Sequence, residues 1–347
     1  MNVLCREVES FQSEKSKIQN PKSKIQIETI YFGGGTPSLL SPKQLEKILD
    51  TIYKKFSVGE SSEITMEMNP ATMTLETVKE YRSLGINRAS FGAQTFDDTE
   101  LKRLGRRHTA NEVRETIEIL RKADFDNVSF DLIAGLPRQT LQDWERNLDE
   151  ALKLNPEHLS LYLLEIHEGT PLAEQIRSGR QSLPDEDLAG EMYELMLEKV
   201  SAKGFQQYEI SNFSLPNFQS RHNSKYWLCE PVYAFGVSAH SFDGGMKRWA
   251  NERDTLKYVS LIEKENSAIV EQTEIDLKSE FVFLGLRLAK GIDVDEYKNR
   301  FGVDLLAEYA EDLQRLKETE LIEVCNNRLK LTKKGFLFSN EVFAVFV

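Results

Sequence analysis

Cysteine is scarce and scattered: the chain holds three, Cys5, Cys229 and Cys325. So widely spaced, they make neither a disulfide framework nor a Cys-x-x-Cys metal motif. Basic charge is also in short supply. Against 56 aspartates and glutamates stand 44 lysines and arginines, a formal net charge of -12 with a pI near 5.2. Proteins that grip a phosphate backbone release its counterions through a basic face, so nucleic acid is not an expected partner. No apolar run approaches the ~18 residues of a membrane span, and the N-terminus has no basic-then-apolar signal pattern. The expected compartment is therefore the cytoplasm. What is present is 347 residues, 40% of them hydrophobic, enough for one barrel-sized domain and a smaller companion.

The stretch around which the rest is organised is Ile30-Tyr31-Phe32-Gly33-Gly34-Gly35-Thr36-Pro37-Ser38. A β-branched and aromatic run feeding three glycines predicts a strand ending in a loop whose bare backbone can approach a ligand closely. Ser41 then suits an N-cap and Pro42 the first helical position, with Leu45, Ile48, Leu49 and Ile52 recurring at helical spacing. On its own the glycine run is equally a tight turn, and it matches neither the P-loop nor the dinucleotide pattern.

The same period of strand, loop and helix repeats downstream. Glu63 to Met68 alternates as a strand closed by Asn69-Pro70, and Thr74 caps a helix to about Leu84. Arg88 to Phe96 is the next strand, and Thr109 with Glu112 forms a capping box for a helix to Ala123. Val128 to Ile133 is a strand that ends at Ala134-Gly135-Leu136-Pro137. Thr140 then caps a helix carrying Leu141, Trp144, Leu148 and Leu152, and Leu159 to Leu164 is a further strand. Five strands, each followed by helix or loop, imply parallel βα units in an open sheet or barrel, with ligands at the C-terminal strand ends. Gly33 to Thr36, Glu67, Gln94 and Asp131 fall at or near those ends. Asp131, inside an apolar run, reads alternatively as a buried structural carboxylate. Four polar positions at successive strand ends point instead to a site.

A different texture begins after Glu165. Leu188, Met192, Leu195 and Met196 mark a long helix, followed by Tyr208 to Phe213, Arg221 to Trp227, Gly236 to Ser241 and Arg248 to Asn251. Histidines and aromatics interleaved with small residues suit either a flat aromatic ligand or a packed core with hydrogen-bonded histidines. From Leu277 onward, helices are predicted over 279–290, 293–300 and 304–317. A hairpin follows, with Ile322 to Val324 and Leu329 to Leu331 about Asn326-Asn327. This is a winged-helix-like module, and its acidic charge argues against reading DNA. At the other end, Val3, Leu4, Val8 and Phe11 suit the tail of a helix. Beyond it Lys-Ser-Lys-Ile-Gln occurs at 15–19 and 22–26, a surface insertion without chemistry. The expected division is 1–26, a barrel domain over 27–265, and a C-terminal module over 270–347.

Phe32-Gly33-Gly34-Gly35-Thr36-Pro37-Ser38, Glu67-Met68-Asn69-Pro70, Arg88 to Phe96 and Asp131-Leu132-Ile133-Ala134-Gly135-Leu136-Pro137 together resemble the radical-SAM proteins. Within them they resemble the oxygen-independent coproporphyrinogen dehydrogenase branch, from about residue 27 to the end. Arg221-His222-Asn223-Ser224-Lys225-Tyr226-Trp227 looks like the His-Asn-x-x-Tyr-Trp signature of the haem-chaperone subfamily called HemW. Pro231, Gly236, Ala239-His240-Ser241 and Arg248 to Asn251 extend that likeness. The resemblance implies an α/β fold: a partial (β/α)6-type barrel lacking its first strand, with a haem-associated region over 205–251 and a small winged-helix-like α+β domain at the C-terminus. It implies S-adenosylmethionine bound by Gly34, Gly35 and Thr36 through backbone and hydroxyl groups. Glu67, Gln94, Arg106 and Asp131 are the matching contacts to its amino, carboxylate and ribose groups. Carboxylates, an amide and a guanidinium on rigid strand ends suit so zwitterionic a ligand. His222 becomes the candidate haem-iron ligand, Tyr226 and Trp227 flank the porphyrin face, and His240 is a second ligand candidate.

One feature of the resemblance is missing. Radical-SAM proteins hold a [4Fe-4S] cluster with three thiolates in a Cys-x3-Cys-x2-Cys loop after the first barrel strand. Here Cys5 stands alone on what matches the helix after that loop. The expectation is an N-terminally shortened chain, the alternative being a true cluster-less homologue. Either way the chain is unable to cleave S-adenosylmethionine reductively, and on shortening the strand at Ile27 to Phe32 becomes an unprotected edge that lowers solubility. The function implied is a haem chaperone that passes haem to an acceptor protein, which can be membrane-associated. The alternative is an oxygen-independent coproporphyrinogen III dehydrogenase, carrying out a SAM-dependent oxidative decarboxylation in porphyrin biosynthesis. The His222 to Trp227 signature favours the chaperone.

Overall fold

Capping side chains set where the helices begin. Ser41 and Gln44 exchange side-chain and backbone hydrogen bonds, as do Thr109 with Glu112 and Thr140 with Asp143. Each box supplies partners to amides that the first helical turn leaves unpaired. A computed structural model of the chain describes residues 1–12, 24–181 and 185–346. It runs α1 (Asn2–Ser10), β1 (Gln26–Phe32), α2 (Pro42–Lys55), β2 (Ser57–Glu67), α3 (Leu75–Ser83), β3 (Arg88–Gln94), α4 (Asp98–Arg103), α5 (Ala110–Lys122), β4 (Val128–Ala134), α6 (Leu141–Lys153), β5 (His158–Leu163), α7 (Pro171–Arg177), α8 (Glu186–Ala202), β6 (Gln206–Gln207), β7 (Asn212–Ser214) and α9 (Arg221–Trp227). There follow β8 (His240–Phe242), β9 (Lys247–Asn251), α10 (Thr255–Glu265), β10 (Ile269–Glu274), α11 (Leu277–Leu286), β11 (Ile292–Asp293), α12 (Val294–Phe301), α13 (Leu305–Glu308), α14 (Ala310–Glu318), β12 (Ile322–Cys325), β13 (Arg328–Leu331), α15 (Lys333–Leu337) and α16 (Ser339–Phe343). Most of the expected insertion, including the repeat at 15–19, lies outside the described residues.

The main sheet has the order β1-β2-β3-β4-β5-β7-β6. Strands β2 to β5 are parallel, each to the next, the arrangement expected of βα units. Its far end departs from that pattern, because the short β7 and β6 are antiparallel. Register puts Thr65 beside Arg88, Glu67 beside Ser90, Ser90 beside Ser129, Ser129 beside His158 and Asp131 beside Ser160, so these residues share one face. The alternate positions Met66, Phe91, Phe130, Leu132, Leu159 and Leu161 are buried on the other face, as are Leu101, Val113, Ile117, Trp144 and Leu148 from the helices. Each such large apolar side chain contributes about 1.5–3 kcal/mol on burial. One face thus holds the fold together and the other is free to be polar. There His158, fully buried, spans Ser129 Oγ and Tyr208 Oη at 2.7 Å each. Burial, helped by the charge of Arg88, holds its pKa well below the ordinary value.

The described chain forms two compact units. One comprises Phe32–Leu39 and Ile64–Gln219, the other Met1–Tyr31, Leu40–Glu63 and Ser220–Val347. In the second, α1 packs against α2 and α10, burying Cys5, Val8, Leu45, Ile48, Tyr258 and Ile262. Glu7 is buried there too, accepting from Asn251 Nδ2, Tyr258 Oη and Gly236 N at 2.6, 2.5 and 2.8 Å. A three-stranded sheet of order β10-β9-β8 was not expected from sequence. The helices α11 to α16 with the sheet β11-β13-β12 form the winged-helix-like module. Its expected 304–317 helix is divided at Tyr309 into α13 and α14.

Candidate functional site

The loop after β1 is open. Gly33, Gly34 and Gly35 are exposed, and Gly34 and Gly35 take φ of +76° and +63°, where a side chain is disfavoured. No protein atom stands within 4 Å of the place a Cβ would occupy on either, so the bare backbone faces room for a ligand. The loop is tied from below: Ser38 Oγ accepts from Asn69 N and Tyr81 Oη donates to Ser38 O, both at 3.1 Å. Gly34 N donates to Glu67 Oε2 at 3.1 Å, which fixes the loop to the end of β2. Gln94 closes β3, buried and at φ +68°.

Asp131 is half-buried on β4. Burial pushes its carboxyl up to about 6, against the Ser160 hydrogen bond and the Arg88 charge; Glu67 adds to the rise and Arg106 opposes it. Arg106 itself is exposed. Gly34, Gly35, Thr36, Glu67, Gln94, Arg106 and Asp131 all belong to one compact unit. Glu67 at the glycine loop, Asp131 within electrostatic reach of Glu67 and Arg106, and Gln94 at the end of β3 in the same unit offer acceptors for an ammonium and hydroxyls, and donors for a carboxylate. These residues fit S-adenosylmethionine.

The second constellation is on α9. Ser220 caps the helix, its Oγ accepting from Asn223 N at 3.3 Å. Glu63 on β2, 6% exposed, accepts from both Arg221 N and His222 N at 3.0 Å. The His222 ring stacks on Tyr31 with centroids 4.9 Å apart and planes 21° apart. Its Nδ1 lies 3.0 Å from Thr29 Oγ1 and its Nε2 3.4 Å from Tyr226 Oη. Lys225 bridges Glu28 of β1 and Glu230 at 3.1 and 2.6 Å, so α9 is pinned beside the edge strand. Tyr226 is 43% exposed. Trp227 is placed differently, with the Arg287 guanidinium 4.2 Å over its ring. His240 is exposed at the start of β8, with Nδ1 2.9 Å from Ser238 O. The structure therefore brings His222 and Tyr226 together, and adds Thr29, Tyr31 and Glu63, which sequence reading missed. An imidazole between two tyrosine rings, one open to solvent, fits haem.

The thiols do not gather. Cys5 is buried on α1 with Sγ 4.0 Å from Lys47 O, Cys229 is buried after α9, and Cys325 lies on β12. Burial pushes the Cys229 thiol up to about 11. Among the described residues no group of three His, Cys, Asp or Glu could hold a metal ion. These residues do not fit a [4Fe-4S] cluster.

The family described as the Radical SAM superfamily matches residues 8–151, and that described as the HemN C-terminal domain matches 272–338. The Heme chaperone HemW of Bacillus subtilis is 36% identical over 325 residues, covering 92% of this chain and 86% of its own. The chain belongs to the HemW family. The HemW of Lactococcus lactis is 34% identical over 347 residues, with 99% and 88% covered. The HemW-type chain also matches the solved structure titled "Coproporphyrinogen III oxidase (HemN) from Escherichia coli is a Radical SAM enzyme". The TM-score is 0.82 at 20% identity, over 99% of this chain and 82% of that one. That likeness shows the fold: the α/β partial barrel of radical-SAM proteins followed by the C-terminal module.

Proposed function

We propose that this chain is a haem chaperone, binding haem at α9 and passing it to an acceptor protein. The observation that carries the reading is identity of 34–36% to relatives named heme chaperones over 86–88% of their length. His222 supports the placing of haem, since a neutral imidazole nitrogen is a usual axial donor to haem iron. Tyr31, stacked on the imidazole, holds its ring in place, and Tyr226, turned 79° from it, offers an aromatic face to a porphyrin. S-adenosylmethionine would be held by Gly34, Gly35, Thr36, Glu67, Gln94, Arg106 and Asp131; it would become the source of a carbon radical only on reduction by a cluster. No step is assigned to a cluster that the chain's cysteines do not fit. The compartment is the cytoplasm. No described helix is long and apolar enough to cross a membrane.

The test is a hemin titration followed at the Soret band, comparing the chain with His222→Ala. Saturable binding weakened by about tenfold or more in the variant is expected for loss of an axial ligand. Equal binding in both would overturn His222 as the ligand. A folded chain that binds no hemin would overturn the chaperone reading.

A further inference from the structure

His222 is reached by two side chains remote from it in sequence, one at its ring and one at its backbone. Thr29 Oγ1 lies 3.0 Å from Nδ1; Glu63 takes the amides of residues 221 and 222 at 3.0 Å each. All belong to one compact unit. We propose that Thr29 is a positioning residue for haem binding: its hydroxyl accepts Nδ1–H of His222 and so presents Nε2 to iron. This rests on the reading of His222 as the haem ligand.

A neutral imidazole carries one proton, and which nitrogen holds it decides which can bind metal. A threonine hydroxyl can donate or accept, so the contact at Nδ1 is by itself ambiguous. Haem binding resolves it. With Thr29 at Nδ1, the nitrogen left for iron is Nε2, whose neighbour is the exposed Tyr226 hydroxyl at 3.4 Å. A neutral imidazole bound through Nε2 carries its one proton on Nδ1, which makes Thr29 the acceptor. The Tyr226 contact is long, and Tyr226 is the more exposed partner, so its place at Nε2 can be taken by a metal. Glu63, 6% exposed, sets the height of the residue: its carboxylate satisfies two amides of the first turn of α9. Backbone position is thus fixed from β2 and ring rotation from β1. A hydrogen bond accepted from the far nitrogen makes an imidazole a stronger donor to its metal, which favours ferric over ferrous haem.

The experiment compares Thr29→Val, which keeps the shape and removes the hydroxyl, with Thr29→Ser, which keeps the hydroxyl. Both are measured beside the parent and His222→Ala by hemin titration and by the midpoint potential of the bound haem. With far-UV dichroism unchanged, Thr29→Val is expected to weaken hemin binding roughly tenfold and to shift the potential positive, and Thr29→Ser to restore both. If Thr29→Val matches the parent in affinity and potential while His222→Ala loses hemin, the positioning role is overturned and the ligand stands. If Thr29→Ser fails to restore what Thr29→Val loses, the hydroxyl is not the cause and the inference falls. If His222→Ala binds as the parent does, the ligand reading fails and this inference with it.

Discussion

Asp131 carries a cost that follows from where it must sit. Its carboxyl, ordinarily ionised above 3.8, is pushed to about 6 by burial. Between those values the folded chain holds a proton that the unfolded chain has released, so stability from this group falls as pH rises through the window. A shift of about two units corresponds to on the order of 3 kcal/mol, fully lost above pH 6. The Asp131→Asn variant removes the charge and keeps the shape. It is expected to unfold at a higher temperature than the parent at pH 7, with no such gain at pH 4, and to bind S-adenosylmethionine more weakly. Thermal unfolding at the two pH values checks this; an equal difference at both would sink it. Sites that hold a charged ligand commonly trade stability for function in this way.

At the scale of elements, what was legible followed from local chemistry. The strands β2 to β5 announced themselves by alternation or by buried apolar runs, and the helices α2, α5 and α6 by their N-cap residues Ser41, Thr109 and Thr140. The candidate residues Glu67, Gln94 and Asp131 could be placed because strand ends could be placed. What escaped was set by partners far along the chain. The strands β8 to β10 read as scattered aromatics because their pairing, Trp249 with Gln272 and with Ser241, is not a local property. Thr29 looks like any strand threonine until α9 arrives from nearly two hundred residues away. The same holds for Gly335 on α15, which gave no sequence signal. A Cβ there would stand 1.9 Å from the carbonyl oxygen of Leu321 and 3.3 Å from Leu331 Cβ, so the helix leans directly on backbone that cannot yield as a flexible side chain does. Gly335→Ala is expected to destabilise the C-terminal module by about 2–3 kcal/mol through overpacking. Limited proteolysis should then cut within residues 277–346 faster than in the parent; unchanged cleavage and unfolding temperature would refute the close contact.

At the scale of the whole molecule, the sparse thiols separate cargo binding from radical chemistry. A [4Fe-4S] cluster needs its thiolates gathered around one small cube, each on a different iron. This chain's three belong to α1, to the turn after α9 and to the hairpin strand β12, and two are nearly inaccessible, at 5% and 4% exposure for Cys5 and Cys229. Thiolate is the ligand and the nucleophile, so a thiol held up to about 11 is protonated at neutral pH. Bringing the three together would require unfolding the α1 packing and the C-terminal hairpin at once. Haem bound at His222, as proposed, would ask for none of this, only the imidazole and aromatic rings of α9 and β1. The 347-residue chain, treated anaerobically with iron and sulfide, is therefore expected to hold no stoichiometric cluster and to yield no 5′-deoxyadenosine from S-adenosylmethionine under dithionite, while its hemin titration is unchanged. Iron and acid-labile sulfide per chain decide the matter: four of each, with deoxyadenosine formed, would mean that the thiols rearrange and that the two activities share one folded state.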